Sequence, residues 1–147
     1  MVVENSSKEA SEIFEQVRGE LVRVFEETPE VELAYLHGSV ARKESGKLSD
    51  IDLAVYLEND CDFIDVKMRL ISEISSLIND FDLIVLNSSR PLMAYNVVKY
   101  GVILLEKSRT MKAEIESSII RKYLDMKPYL QRHAEEKLER YAKEGYA

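Results

Sequence analysis

Residues 31–57 read VELAYLHGSVARKESGKLSDIDLAVYL, and this stretch decides the fold. One apolar run ends at a Gly38-Ser39 turn, a short charged segment follows, and a second apolar run begins with two aspartates separated by one residue. Side chains two positions apart on a strand lie on the same face, about 6.6 Å from each other. Asp50 and Asp52 are therefore predicted to stand side by side on one face, while the alternate apolar residues face a core.

The two aspartates and the turn before them indicate a site for a metal and a phosphate. Adjacent carboxylates repel each other unless a cation lies between them. Such hard oxygen ligands suit Mg²⁺, which keeps water and substrate phosphates in its remaining coordination positions. Gly38 permits a sharp turn and a close backbone approach, Ser39 offers a hydroxyl, and the amides that open the next helix can bind an anion. The pattern predicts one continuous site for a Mg²⁺-bound triphosphate.

The spacing Gly38-Ser39, ten residues, Asp50-x-Asp52 resembles the signature of the nucleotidyltransferase superfamily that includes DNA polymerase β. The neighbouring text, LHGSVARKESGKLSDIDLAV and later FDLIVLN and PLMAYNVVKYGVILLE, is similar to that of minimal nucleotidyltransferase (MNT) antitoxins, which are paired with HEPN-domain toxin ribonucleases. The resemblance spans residues 31–106. The motif also follows one predicted strand and opens another, which is the context that its chemistry requires.

The resemblance implies how the acidic residues act. Asp50 and Asp52 would bind Mg²⁺, and Asp82 would supply a third carboxylate, either as the general base or as a ligand of a second ion, so that two ions are expected. From the residues alone, Asp82 is an acid at the start of an otherwise apolar strand, which is costly to bury unless it is paired or metal-bound. The alternative is a strand-end acid that simply stays in solvent.

Four residues around the carboxylates are assigned to nucleotide binding. Gly38 and Ser39, with the amides near them, are expected to hold the β and γ phosphates of ATP. Arg42 follows in the same predicted short helix and can add a bidentate phosphate contact, although a solvated helix residue is the alternative. Ser49 is included because it can cap or orient Asp50.

The two histidines receive no catalytic role from the sequence. By strand alternation His37 shares a face with Tyr35, which favours a packed or rim histidine, and His133 lies in the C-terminal helical region. No HExxH or CxxC spacing occurs. Zinc is therefore not expected.

The bulk composition is that of a globular protein. The chain has 147 residues, of which 46% are hydrophobic and 32% charged, enough for one core. Its net charge of −7 argues against general nucleic-acid binding, which needs a basic surface. The single Cys61 fits a reducing compartment, and no apolar run approaches the roughly 18 residues of a membrane helix. A cytoplasmic protein without a membrane segment is expected.

Apolar periodicity predicts helices and strands in the order α-β-α-β-α-β-α-β-α. Apolar strands interleaved with helices indicate an α/β (α+β) fold whose sheet is covered on at least one face. The residues leave the direction of pairing of the first two strands open. The superfamily resemblance implies a nucleotidyltransferase fold, with a mixed four-stranded sheet in which those two strands are antiparallel. The strands are predicted at 31–37, from Asp50 onward, at 81–86 and at 102–105.

A single domain, 1–147, is predicted because no repeat or linker divides the chain. A short helix is expected at 40–44, and Asp62 is expected to be the N-cap of a helix that reaches about residue 78. Pro128 is expected to interrupt or kink the long C-terminal helical segment. The remaining segments are the core at 31–106, an N-terminal helix at 7–27 and C-terminal helices at 108–145.

The size of the chain limits its acceptor. Larger members of the superfamily carry further domains for a second substrate, whereas this chain has the catalytic fold and flanking helices. The MNT resemblance implies a protein adenylyltransferase: an antitoxin that transfers AMP from MgATP to a tyrosine of a cognate HEPN toxin and so inactivates it. A hetero-oligomer with the toxin or a homo-oligomer is compatible with this prediction.

Two other functions remain open at this point. One is a non-enzymatic antitoxin that masks its partner by contact, which exposed apolar positions on the C-terminal helix would favour. The other is a small-molecule nucleotidyltransferase of the aminoglycoside type. The complete set of carboxylates argues against the first, and the short C-terminal region argues against the second.

Overall fold

The computed structural model describes residues 10–42 and 50–144. A 3-10 turn, Leu86–Ser88, follows the third strand. The order of helices and strands agrees with the predicted alternation. The elements are α1 (Ala10–Glu26), β1 (Val31–His37), α2 (Gly38–Ala41), β2 (Ile51–Leu57), α3 (Phe63–Ser75), β3 (Phe81–Val85), α4 (Pro91–Tyr100), β4 (Val102–Glu106) and α5 (Arg109–Glu144).

The four strands form one mixed sheet in the order β3-β2-β1-β4. Strand β1 is antiparallel to both of its neighbours, β2 and β4, whereas β2 and β3 are parallel. This arrangement confirms the predicted mixed four-stranded sheet and the antiparallel pairing of the first two strands. The two central strands are the most buried, because neighbouring strands flank them and helices cover both of their faces.

Helices cover both faces of the sheet. On one face, α1 and α3 close the larger core, in which Leu21, Phe25 and Ile74 are fully buried. On the other face, α4 and α5 pack over a smaller core formed by Leu33, Tyr35, Ala54, Leu86, Ala94, Val97 and Ile115. We name these two sides the α1/α3 face and the α4/α5 face.

The helix boundaries follow local chemistry. The side chain of Asp62 accepts hydrogen bonds from the amides of Ile64 and Asp65, so it is the N-cap of α3 as predicted. This helix ends at Ser75, earlier than expected, because Ile78 reaches the core from a turn rather than from a helix. Helix α4 begins with Pro91, whose missing N–H costs nothing at a first helical position.

Helix α2 differs from its prediction. It begins at Gly38, directly after β1, instead of near residue 40. Gly38 has a φ of +72°, which lets the chain leave the strand and enter the helix without an intervening loop. The predicted end of this helix near residue 44 and the predicted site residue Ser49 lie outside the described residues.

The C-terminal segment is one helix of 36 residues, α5, with Pro128 inside it, so the predicted interruption is wrong and the alternative of a kink stays a prediction. Its first turns pack on the sheet through Ile115, and every described residue from Leu124 to Glu144 is exposed. The backbone bond lost at Pro128 therefore falls in a solvated part of the helix, where water can pair with the free carbonyl. Among the described residues, no helix combines the length and the apolar character needed to cross a membrane.

Candidate active site

The turn between β1 and α2 is built tightly against β2. A Cβ atom at Gly38 would overlap the carboxylate oxygen of Asp52 and would lie only 3.0 Å from its Cγ. Glycine is therefore required here both by the positive φ and by the space that the aspartate occupies. The sequence predicted the first of these two reasons and could not predict the second.

Strand register aligns three polar side chains across adjacent strands. His37 at the end of β1 is paired with Asp52 in the antiparallel ladder, and Asp52 is paired with Asp82 in the parallel ladder. All three line one cleft on the α4/α5 face of the sheet. Asp52 is partly buried, whereas Asp82 is exposed on the edge strand. Asp50 is exposed just before β2 and acts on Asp52 through its charge.

The cleft has a volume of about 460 Å³. The sheet lines it with residues of β1, β2 and β3, Gly38 and Arg42 contribute from the two ends of α2, and α4 supplies a wall. It opens where β1 ends and where β2 and β3 begin, so strand termini and helix residues meet in it. The lining residues are His37, Gly38, Arg42, Asp52, Asp82, Ile84, Met93, Asn96, Val97 and Tyr100.

Negative charge is concentrated in this cleft. Burial raises the pKa of Asp52, and the charges of Asp82 and Asp50 raise it further, against the opposing effects of His37 and Arg42. Burial lowers the pKa of His37, against the opposing charge of Asp52. Its Nε2 atom is buried and has no hydrogen-bond partner among the described residues. The site therefore favours a bound cation, because one would relieve the repulsion between the carboxylates.

The donor set fits a metal ion that is shared with a substrate. In the described part of the chain, no three Asp, Glu, His or Cys side chains are grouped as a preformed metal site. Asp52 and Asp82 nevertheless face the same cleft with hard oxygen donors. Mg²⁺ is normally held by one or two carboxylates together with water and substrate phosphates, so this pair is sufficient.

The structure brings together some of the residues predicted for the site. Gly38, Arg42, Asp52 and Asp82 line the cleft, and Asp50 lies close enough to influence Asp52. Residue 39 is a half-buried serine of α2 that does not line the cleft.

Six cleft residues were not assigned to the site from the sequence, including the apolar residues Ile84 of β3 and Val97 of α4. His37 is one of them, and its position follows from strand alternation once β1 and β2 are known to be antiparallel. Met93, Asn96 and Tyr100 come from α4, where their spacing places them on one helix face. Without knowledge of where α4 packs, that spacing does not distinguish a cleft wall from a solvated surface.

Residues 19–110 match the family described as "Polymerase beta, Nucleotidyltransferase", and the chain belongs to this family. This assignment confirms the superfamily that the Gly-Ser and Asp-x-Asp pattern resembles. A comparison with curated proteins gives no match.

Solved structures with the same fold come from toxin–antitoxin complexes. One is a toxin–antitoxin with AMP-PNP, at a TM-score of 0.67 and 23% identity, covering 82% of this chain and 98% of that chain. A mutant MntA-HpeT complex reaches a TM-score of 0.70 at 21% identity, with the same coverage of both chains. A third contains a tri-AMPylated Shewanella oneidensis HEPN toxin with its MNT antitoxin, at a TM-score of 0.63 and 22% identity over 84% of this chain and 98% of that chain. These similarities confirm the predicted MNT type of fold.

Proposed function

We propose that this protein is an antitoxin that transfers AMP from MgATP to a tyrosine hydroxyl of a cognate HEPN ribonuclease toxin and thereby neutralises it. The observation that carries the proposal is the meeting of the Gly38 turn, Arg42 and the carboxylates of Asp52 and Asp82 in one cleft. That arrangement and the family support the cofactor chemistry, and solved structures of the same fold support the choice of nucleotide and partner. A cytoplasmic location, where ATP is available, belongs to the same proposal.

Proteins of the same fold support the choice of substrate and partner. One was solved with AMP-PNP, and another with a tri-AMPylated HEPN toxin. A third carries two Asp-to-Glu substitutions separated by one residue. That spacing is also the spacing of Asp50 and Asp52 in this chain.

In this proposal the acidic residues hold the metal. Asp50 and Asp52 would bind one Mg²⁺, and Asp82 would help to bind a second. When bound, the ions offset the charge of the triphosphate and stabilise the oxygen of the departing pyrophosphate. Burial and the neighbouring carboxylates raise the pKa of Asp52, and a bound cation would offset both effects.

The remaining site residues position the nucleotide. Arg42 pairs its guanidinium with phosphate oxygens, while Gly38 keeps the backbone close enough for the phosphates to approach the turn. The amides beside Gly38 would add phosphate contacts, whereas the roles of Ser39, which does not line the cleft, and of Ser49, which lies outside the described residues, stay predictions. The common effect of the phosphate contacts is to hold the α-phosphate in line with the acceptor.

The transfer step itself needs one base and one leaving group. The acceptor hydroxyl gives its proton to Asp82 as its oxygen forms a bond to the α-phosphorus, and the bond from that phosphorus to the β-phosphate oxygen breaks. Asp82 suits this role because it lies on edge strand β3 and is exposed, so a partner's side chain can reach it. Pyrophosphate is the leaving group, and bound metal ions would offset its negative charge.

A second candidate, masking of the toxin by contact alone, is favoured by the outer part of α5. This part carries large apolar side chains in solvent, including Tyr129, which is 64% exposed, and Leu138, which is 67% exposed. Exposed apolar residues of this kind mark protein interfaces. They are equally compatible with an enzyme that must hold its protein substrate, so the two candidates differ only in whether chemistry is needed.

The test incubates the protein with ATP, Mg²⁺ and the toxin encoded beside it, and then measures the intact mass of both chains. The proposal expects mass gains in multiples of AMP on the toxin, and no gain with the Asp50→Asn, Asp52→Asn double variant. Asp60→Asn, which neutralises an exposed acid in the turn after β2, is the matched control. If the toxin gains no mass and the double variant still neutralises it in cells, the masking candidate is correct.

A further inference from the structure

Three exposed residues of α4 form a wall of the cleft that contains the carboxylates. Met93, Asn96 and Tyr100 all line the cleft, and the two apolar members are 47% and 55% exposed. Large apolar side chains that flank a single amide in a cleft are typical of a small-molecule site. No catalytic role is assigned to this wall, because the proposed catalytic carboxylates lie on or beside the sheet strands.

The end of α4 is held firmly against β1. A Cβ atom at Gly101 would overlap the carbonyl oxygen of Val97 and would lie 3.1 Å from the carbonyl oxygen of Leu36. This close packing keeps the preceding residue, Tyr100, at the mouth of the cleft. The amine of Lys99 lies 5.2 Å from the Tyr100 ring centroid, which adds a cation–π contact to this ring.

The middle of α4 is anchored to α5 by two aromatic rings. Tyr95 and Tyr123 stack with centroids 4.2 Å apart and an interplanar angle of 14°. Asn96 follows Tyr95 directly in the chain, so its backbone is held by the same contact. The wall is therefore preformed, because packing on β1 and on α5 sets its position before any ligand binds.

We infer that this wall binds the nucleobase and selects adenine, with Asn96 pairing with the base edge and with Tyr100 and Met93 packing on its faces. The inference rests on the proposed function, which puts the triphosphate at Gly38 and Arg42, at the other side of the same cleft. It adds residues that recognise the base, on an element that contains none of the proposed catalytic groups.

The chemistry of the three side chains matches that ligand. A carboxamide has one acceptor and one donor, and adenine offers its exocyclic amine as a donor beside a ring-nitrogen acceptor. The N7 and O6 atoms of guanine are both acceptors and would leave the Asn96 oxygen unpaired at that edge. An aromatic ring and a thioether stack on any base without reading it. Asn96 would therefore supply selectivity, and Tyr100 and Met93 would supply affinity.

The experiment measures nucleotide binding without transfer. A ribose-labelled fluorescent ATP analogue is bound to the protein with Mg²⁺ and displaced by ATP, GTP and CTP. Wild type should favour ATP, and Asn96→Ala should reduce the ATP-to-GTP affinity ratio by roughly tenfold. Asn96→Asp should retain part of that ratio, because the carboxylate keeps the acceptor for the exocyclic amine of adenine and loses only the donor to the ring nitrogen. Because the new charge repels both triphosphates alike, this repulsion does not change the ATP-to-GTP affinity ratio.

Tyr100 tests the stacking part of the inference. Tyr100→Ala should weaken ATP, GTP and CTP alike by roughly tenfold, and Tyr100→Phe should bind almost as wild type does. Two controls should leave all affinities unchanged. Leu92→Ala removes a 49% exposed side chain of the same helix that does not line the cleft, and Asn59→Ala removes an exposed amide in the turn after β2.

Three other outcomes would each contradict a specific part of the inference or of the proposed function. If wild type binds the three triphosphates and no Asn96 variant changes their ratio, the reading of adenine is wrong while the proposed function stands. If Asn96→Ala and Tyr100→Ala bind ATP normally yet fail to modify the toxin, the wall contacts the acceptor instead of the base. If wild type binds no nucleotide, the proposed function and this inference are both wrong.

Discussion

The two faces of the sheet differ in what they contribute, because one face of strand β2 supports stability and the other face supports chemistry. The α1/α3 face is closed along its length, and it buries Ile51, Leu53, Val55 and Leu57 of β2. On the other face of the same strand stands Asp52, in a cleft that the α4/α5 helices leave open at one end. Strand alternation alone separates the two sets. Substitutions on one face should therefore lower the free energy of unfolding, and substitutions on the other should lower activity.

The largest effect is expected on the cleft side. The Asp50→Asn, Asp52→Asn double variant should lose about a thousandfold or more in AMP transfer, because the several kcal/mol that metal ions supply would be gone. Its thermal midpoint should stay at or above that of wild type, since a partly buried and repelled carboxylate becomes neutral. Transfer rates and a thermal melt of the same preparation check both statements. A variant that unfolds at a lower temperature would contradict the separation of the faces.

The next effect belongs to the closed face. Leu21 in α1 is fully buried in the larger core, so Leu21→Ala should lower the free energy of unfolding by about 3 kcal/mol. Urea unfolding measures this, with Leu92→Ala as the exposed control, for which a change within about 0.5 kcal/mol is expected. The affinity for ATP per folded molecule should not change. A large drop in that affinity would mean that the two faces are coupled.

Gly38 lies where the two faces meet, and its substitution should affect both properties. Gly38→Ala places a side chain at φ +72°, which costs about 1–2 kcal/mol, and its Cβ would push against the Asp52 carboxylate. We expect a moderate loss of stability together with a larger loss of transfer than the stability explains. Unfolding and transfer measured on one preparation separate the two. Full activity in this variant would mean that Asp52 can move without consequence.

The smallest effect is a pH dependence that comes from Asp52. Because its pKa is raised in the folded protein from an ordinary value of 3.8, the folded state retains a proton that the unfolded state has released. Stability from this group is present below the unfolded pKa and is lost as the pH rises through the folded pKa. Without Mg²⁺, the stability of wild type relative to Asp52→Asn should therefore fall as the pH rises above about 4. Parallel pH curves for the two proteins would show that Asp52 is not perturbed.

Most of the fold and part of the candidate site could be predicted from the sequence. The four strands, the N-cap at Asp62 and the mixed sheet are confirmed, because each depends on local pattern or on the family motif. The interruption at Pro128 did not occur, because a proline breaks a helix only where the lost backbone bond cannot be replaced. The roles of the acidic and nucleotide-binding residues stay predictions, and Ser49 lies outside the described residues.

The residues that only the tertiary structure could bring to the cleft come from different parts of the chain. His37 faces Asp52 because of the β1–β2 register, and Asn96 and Tyr100 reach the same space only through the packing of α4 on the sheet.

The sequence by itself determined the order of the elements, the face of β2 on which Asp52 stands and the family to which the chain belongs, because these depend on residue types at short separations. Only the tertiary structure decided which side chains meet Asp52 from across the sheet and which wall closes the cleft. Those contacts join residues about fifteen to fifty positions apart, and their geometry is set by strand register and helix packing, which no local pattern encodes.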